Sequence, residues 1–148
     1  MRIIGLGQAA AGDDGVGLAV VEWLRGHGVP KGVELMCAAD DSALVPLLQT
    51  RVPVVLIDAV LGERAGRVLQ LTPEQLATRN LRPLSTHGMG VSQVIELARV
   101  LTPHAITPCI RIVAVGITRP RHYRQELSRP VAAAVPCAGQ RVLAMVGD

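Results

Sequence analysis

Three polar side chains that follow or interrupt apolar segments are the candidates for chemistry in this sequence. Asp14 lies in a glycine-rich segment (residues 12–15), Asp58 follows an apolar run (54–57), and His87 precedes a glycine. Two carboxylates and an imidazole form a mixed oxygen and nitrogen set that suits a borderline divalent ion such as nickel, manganese or zinc. Three protein ligands leave coordination positions open, as a catalytic or substrate-capturing metal requires.

Each of these residues also has a structural explanation. One of the adjacent aspartates, Asp13 or Asp14, is expected to cap the helix that follows, which leaves the other to face a ligand crevice. A charged side chain at the end of a buried strand is costly unless it is paired or bound to a cation, which favours a function for Asp58. The alternative is that Asp58 accepts hydrogen bonds from the amides of the next loop.

The elements that position these residues alternate between strand and helix. Apolar patterning predicts strands at 1–7, 33–38, 52–60, 66–71 and 111–117, and helices at 14–25, 42–49, from Thr72 onward, 92–101 and 128–146. We expect Pro136 to bend or break the last helix. The pattern predicts the α/β class, with a parallel or mostly parallel sheet covered by helices on both faces. Ligands of such sheets bind beyond the carboxyl ends of the strands, where Asp14, Asp58 and His87 are expected.

Composition bounds the class of protein. The chain has 148 residues, of which 49% are hydrophobic and 18% charged, which predicts one folded domain over residues 1–148 and excludes disorder. A net charge of +3, with one Trp, one Tyr and no Phe, argues against nucleic acid as a partner. Three cysteines without C-x-x-C spacing fit a reducing cytoplasm. No apolar run approaches about 18 residues, so we expect a soluble, cytoplasmic protein without a membrane partner.

A dinucleotide-binding loop is one alternative. Residues 5–10 satisfy the G-x-G-x-x-[GA] fingerprint after a predicted strand. Asp13 and Asp14 at the start of the next helix would repel a pyrophosphate, whereas Asp40 and Asp41 after the second strand would suit a ribose. This alternative therefore stays open on the residues alone.

Several segments of the chain, in their order and spacing, resemble one family. They are Ile4 to Gly7, Gly12 to Gly17, Val55 to Val60, Ser85 to His87 with Gly90, Val115 to Ile117, and Leu127 to Val131. Together they are similar to the hydrogenase maturation proteases, the endopeptidases that trim the carboxyl-terminal extension from the large subunit of nickel-iron hydrogenases. The likeness spans nearly the whole chain.

The resemblance implies a fold, a metal and a partner. The fold would be an α/β/α sandwich with a five-stranded twisted sheet. The metal would be nickel, supplied by the large-subunit precursor and bound by Asp14, Asp58 and His87, although another divalent ion would also suit these ligands. Asp14 and Asp58 would be the catalytic carboxylates, and cleavage would follow nickel insertion.

The chain departs from the family pattern in two loops. Gln8 replaces the usual Asn, and residues 37–42 replace an Asp-Gly-Gly-Thr loop that helps to receive the substrate tail. Asp40 and Asp41 are therefore candidate substrate contacts. Arg119 is a candidate contact for an anionic tail, or else part of a solvated basic turn. The altered loop leaves a second function open, a non-hydrolytic chaperone or checkpoint protein that holds the nickel-loaded precursor.

Overall fold

Five strands form one sheet in a computed structural model of the chain, which describes residues 1–79, 81, 90–119 and 125–148. They are β1 (Arg2–Leu6), β2 (Glu34–Ala38), β3 (Val54–Val60), β4 (Val68–Leu71) and β5 (Ile110–Gly116). The strand order is β2-β1-β3-β5-β4, and every neighbouring pair is parallel except β4 with β5. The predicted mostly parallel, five-stranded sheet is confirmed.

Helices cover both faces of this sheet. They are α1 (Val16–His27), α2 (Leu44–Leu48), α3 (Pro73–Thr78), α4 (Val91–Leu101) and α5 (Arg129–Val146). One apolar core joins α1 and α5 to one face, and a second joins α2, α3 and α4 to the other. Successive side chains of β3 alternate between the two cores, which is why its sequence is almost continuously apolar. Among the described residues, no helix is both long and apolar enough to span a membrane.

Helix α5 runs through Pro136 without a break. Proline removes one backbone donor from the helix, so the sequence alone favoured an interruption. The buried face of α5, which includes Val131, Val135 and Val142, packs in the same core as α1. We attribute the continuity of the helix to this packing, which offsets the missing hydrogen bond.

Two glycines bring α1 unusually close to the sheet. A Cβ on Gly17 would lie 2.4 Å from the carbonyl oxygen of Leu6 and 2.5 Å from that of Ile57. A Cβ on Gly5 would lie 2.4 Å from the carbonyl oxygen of Gly17. The glycines therefore serve close packing between backbones, independently of any phosphate. The start of α1 is held against the carboxyl ends of β1 and β3, the strands that position Asp14 and Asp58.

Candidate functional site

Three aspartates lie at the carboxyl edge of neighbouring parallel strands. Asp14 follows β1 in a 3₁₀ segment, Ala9–Gly15, and Asp41 begins another, Asp41–Ala43, after β2. Asp58 lies near the carboxyl end of β3, which ends at Val60 as the predicted strand at 52–60 does. Because β1 lies between β2 and β3 in the sheet, the topology brings the three carboxylates to one region, as expected for a ligand crevice.

The electrostatics of Asp58 show that these carboxylates interact. Desolvation by burial, followed by the negative charges of Asp41 and Asp14, raises the pKa of Asp58 to about 7. The backbone N–H of Ala59 donates to Oδ1 of Asp58 at 2.9 Å, which opposes the rise in its pKa. Asp58 is thus divided between its protonated and ionised forms near neutral pH. A carboxyl group in this condition can hold or release a proton, and its charged form would be stabilised by a cation.

Asp14 and Asp41 are shifted in the same direction. Burial raises the pKa of Asp14, against the effect of the Gln8 backbone N–H, which donates to its Oδ2 at 3.1 Å. Burial, and then the charges of Asp40 and Asp14, raise the pKa of Asp41. The crevice therefore concentrates negative charge that a bound cation would neutralise.

Asp40 and Asp41, which the sequence grouped as substrate contacts, have different surroundings. The exposed Asp40 carboxylate accepts hydrogen bonds from Ser42 Oγ at 2.5 Å and from the Ala43 backbone N–H at 3.0 Å. These bonds cap the short turn after β2 and lower the pKa of Asp40. Asp41, by contrast, is partly buried and faces the charges of Asp14 and Asp58. Neither substrate role is tested by these contacts.

The expectation that Asp13 or Asp14 caps α1 is wrong. The N-cap residue of α1 is Gly15, which makes no side-chain capping bond. Both aspartates lie in the 3₁₀ segment that precedes α1, so neither occupies the N-cap position. Their side chains bond to different partners instead. Asp14 bonds to Gln8, whereas the buried Asp13 accepts two hydrogen bonds from Ser128.

His87 lies outside the described residues, so its part in the predicted trio stays a prediction. Among the residues that are described, no three His, Cys, Asp or Glu side chains lie close enough together to hold one metal ion. The carboxylates of Asp14, Asp41 and Asp58 interact through their charges without forming such a group. Arg119 is exposed beyond the carboxyl end of β5, and its contact with an anionic tail stays a prediction.

Sequence reasoning missed the approach of Asp41 to Asp58. A usable signal was present, since Asp41 closely follows a strand predicted in the same parallel sheet. The alternation of strands and helices does not determine the order of the strands in the sheet, and this order decides which loops are neighbours. The link between Asp13 and Ser128 had no local signal, because 115 positions separate the two residues.

Comparison with known proteins finds a matching family model and a similar curated protein. A family model described as hydrogenase maturation protease matches residues 19–145, a range that contains Asp58 and His87 and begins after Asp14. Protein FrxA of Pyrococcus furiosus is 29% identical over 138 residues, which cover 93% of this chain and 98% of that protein.

Solved structures share the fold. The hydrogenase maturating endopeptidase HybD from E. coli superposes with a TM-score of 0.75 at 20% identity, over 98% of this chain and 90% of that one. The [NiFe] hydrogenase maturation protease HybD from Thermococcus kodakarensis gives a TM-score of 0.71 at 23% identity, over 97% of each chain. The sheet and its covering helices are thus an architecture already seen in both structures.

Proposed function

The chain belongs to the hydrogenase maturation protease family, a family of endopeptidases, and we propose that it removes the carboxyl-terminal extension of a nickel-iron hydrogenase large-subunit precursor after nickel insertion. The observation that carries this proposal is the interaction of Asp14 with Asp58 at the carboxyl edge of β1 and β3. Burial and repulsion at this edge favour the arrival of a cation, and the nickel of the precursor is that cation.

Nickel enters the reaction as part of the substrate. We propose that it docks on Asp14, Asp58 and His87. The chemistry of the donors suits this role, because two carboxylates and an imidazole are acceptable ligands for nickel. Docking on Asp58 displaces the proton that its raised pKa retains near neutral pH. A precursor that carries no nickel lacks this interaction, so cleavage waits for metal insertion.

Docking converts binding energy into orientation of the scissile peptide. The bound ion supplies polarisation of the peptide carbonyl or a lowered pKa for an attacking water. Asp14 and Asp58 are the catalytic carboxylates of the proposal: one of them accepts the proton of the attacking water and returns it to the leaving amine. The products are the shortened large subunit, which ends in a new carboxylate, and the released extension, which begins with a new amine.

The substrate tail has candidate contacts on both sides of the carboxylates. We propose that Asp41 and Asp40, after β2, and Arg119, after β5, contact the extension. The exposure of Arg119 supports a contact with an anionic tail. Asp41 is the stronger candidate of the two aspartates, because the Asp40 carboxylate is already engaged with Ser42 and Ala43.

The test is incubation of the purified protein with a nickel-loaded large-subunit precursor, followed by mass spectrometry of the products. We expect one new carboxyl terminus and one released peptide, and no cleavage of the same precursor prepared without nickel. Stable binding without a shortened product would overturn the protease proposal in favour of a chaperone or checkpoint protein. The altered loop after β2, in which Asp40 caps a short turn, is the observation that keeps this second function in view.

A further inference from the structure

Asp13 is a buried carboxylate that the proposed reaction does not use. Its side chain is buried, with 7% of the residue exposed, and both of its oxygens are bonded to one distant residue. The backbone N–H of Ser128 donates to Oδ1 at 2.6 Å, and the Ser128 hydroxyl donates to Oδ2 at 2.7 Å. Two hydrogen bonds from one residue to both oxygens of a carboxyl group fix its orientation as well as its position. Asp13 therefore fastens the loop after β1 to the segment that carries Ser128.

Ser128 is the N-cap residue of α5, the longest helix of the described chain, and its own side chain makes no capping bond within that helix. The Ser128 hydroxyl, which at an N-cap position ordinarily accepts from a backbone N–H of the helix, instead donates to Asp13. A carboxylate near a helix N-terminus is also favoured by the helix dipole. The pair thus joins the loop to the most extended rigid element on that face of the sheet.

The backbone of the adjacent Asp14 is fixed from the other side. Gly7, at a φ of +131°, lies so close to Asp14 that a Cβ would be 1.9 Å from its carbonyl oxygen. The next residue, Gln8, donates its N–H to the Asp14 carboxylate at 3.1 Å. Between these contacts and Ser128 the chain turns at Gly12, with a φ of 61°. Two anchors of different kinds therefore hold the short stretch that presents Asp14.

We propose that Asp13 is a positioning residue of the maturation protease: its paired hydrogen bonds to Ser128 hold the backbone that presents Asp14 to the site. This inference rests on the proposed function, because it gives a purpose to the position of Asp14. Asp13 itself does not touch the substrate. Its effect on the reaction passes through Asp14, and a small displacement of a docking group has a large effect on rate.

The variants follow from the chemistry of the pair. Asp13→Ala removes both acceptors, and Ser128→Ala removes the hydroxyl alone, which provides a milder disruption. Asp13→Asn preserves the pair, because the amide oxygen accepts from the Ser128 N–H while the amide nitrogen donates to the hydroxyl oxygen. Ser128→Thr also retains both donors. A positioning role predicts that these two conservative variants rescue activity.

Thr107→Val is the matched control. Thr107 is 5% exposed, and its hydroxyl bonds to the carbonyl oxygens of Val52 at 2.7 Å and Cys109 at 3.1 Å. It therefore also joins distant segments through a buried hydroxyl, but it does so beside the amino ends of β3 and β5, at the opposite edge of the sheet. Its loss lowers stability without a route to Asp14.

The experiment measures kcat and KM for nickel-loaded precursor, together with Tm, at a temperature where every variant is folded. We expect Asp13→Ala and Ser128→Ala to lose at least about tenfold in kcat per folded molecule, with a smaller change in KM. Asp13→Asn and Ser128→Thr should stay within about threefold of the original protein, and Thr107→Val should keep its kcat although its Tm falls.

Two failures are distinguishable. If the original protein cleaves but Asp13→Ala and Ser128→Ala cleave equally well when folded, the role of Asp13 is structural only and the inference is wrong. If the original protein does not cleave the nickel-loaded precursor, the proposed function is wrong, and the positioning role is overturned with it.

Discussion

Asp14 and Asp58 interact across the neighbouring strands β1 and β3: after burial and the charge of Asp41, the charge of Asp14 raises the pKa of Asp58. The two strands are parallel and in register, with Gly5 opposite Ile57, the residue before Asp58. The absence of a side chain at Gly17 lets the start of α1 pack against the Ile57 carbonyl, which keeps the Asp14 loop beside the carboxyl end of β3. The relationship is therefore a product of backbone packing. It also means that a cation or proton bound by one carboxylate changes the affinity of the other.

Removal of either charge should abolish processing. Asp14→Asn and Asp58→Asn each retain the shape of the side chain but lose an anionic ligand for the nickel of the precursor. We expect kcat/KM for the nickel-loaded precursor to fall at least about 100-fold in each variant. Cleavage is followed by mass spectrometry and folding by circular dichroism.

Glu34→Gln is the matched control for these two variants. Glu34 is also an acidic residue of the sheet, but it pairs with Arg2 at the amino ends of β1 and β2, the opposite edge from the site. Its replacement should leave kcat/KM within about threefold, because it removes a surface ion pair and no carboxylate of the site. Wild-type processing by Asp58→Asn would exclude the assigned site.

The stability of the metal-free protein should depend on pH through Asp58. Its pKa is raised from 3.8 to about 7 in the folded state, so the folded protein holds a proton that the unfolded chain has released between these values. The stabilisation is fully present below about pH 4 and is lost as pH rises toward 7. Asp58→Asn removes this dependence, so the variant should gain stability relative to the original protein between pH 4 and 8, by up to about 4 kcal/mol.

Urea denaturation of both proteins at a series of pH values measures this difference. Other titrating groups are common to the two proteins, so their contributions largely cancel in the comparison. A difference in unfolding free energy that stays constant with pH would show that Asp58 titrates normally in the folded state.

Neutralisation of Asp41 should lower the pKa of Asp58. Among the charges that raise this pKa, that of Asp41 has the largest effect, ahead of Asp14. We expect the titration of the Asp58 carboxyl carbon, followed by NMR, to move to lower pH in Asp41→Asn. Asp40→Asn is the control for this titration, because Asp40 precedes Asp41 in the chain but is not among the charges that raise the pKa of Asp58. An unchanged titration in Asp41→Asn would place Asp41 too far from Asp58 to matter.

The fold could be predicted because burial dictates it locally. The run Val54 to Ile57 is apolar at every position, which requires cover on both faces and so predicts a central strand between two helical layers. Thr72 and Pro73 likewise specify a helix start, and Thr72 does form a capping box with Gln75. In these places the side chains that determine the structure are neighbours in sequence.

The site was predictable only in part, because its remaining features depend on distant segments. The charge at the end of the β3 run pointed to Asp58, whereas the approach of Asp41 required the strand order. Asp13 and Asp14 have the same side chain, and nothing local tells which one faces Ser128. In the structure the loop between β1 and α1 turns at Gly12, with a φ of 61°, and it is Asp13 that meets Ser128.

Two glycines of the same helix should respond in opposite directions to alanine. In Gly17→Ala the new Cβ would meet the carbonyl oxygens of Leu6 and Ile57 at 2.4 and 2.5 Å, and neither backbone can move without shifting α1 from the sheet. We expect a loss of about 3 kcal/mol or more in unfolding free energy. A Cβ on Gly26 meets nothing within 4 Å, so Gly26→Ala should stabilise the exposed end of α1 by about 0.5–1 kcal/mol.

Urea denaturation monitored by the fluorescence of Trp23, the one tryptophan of the chain, measures both effects. Because the displaced helix start follows directly on the Asp14 loop, folded Gly17→Ala should also process precursor more slowly, whereas Gly26→Ala should match the original rate. A Gly17→Ala protein of undiminished stability would contradict the close approach of α1 to β1 and β3. It would also contradict the explanation that this close approach brings Asp14 near Asp58.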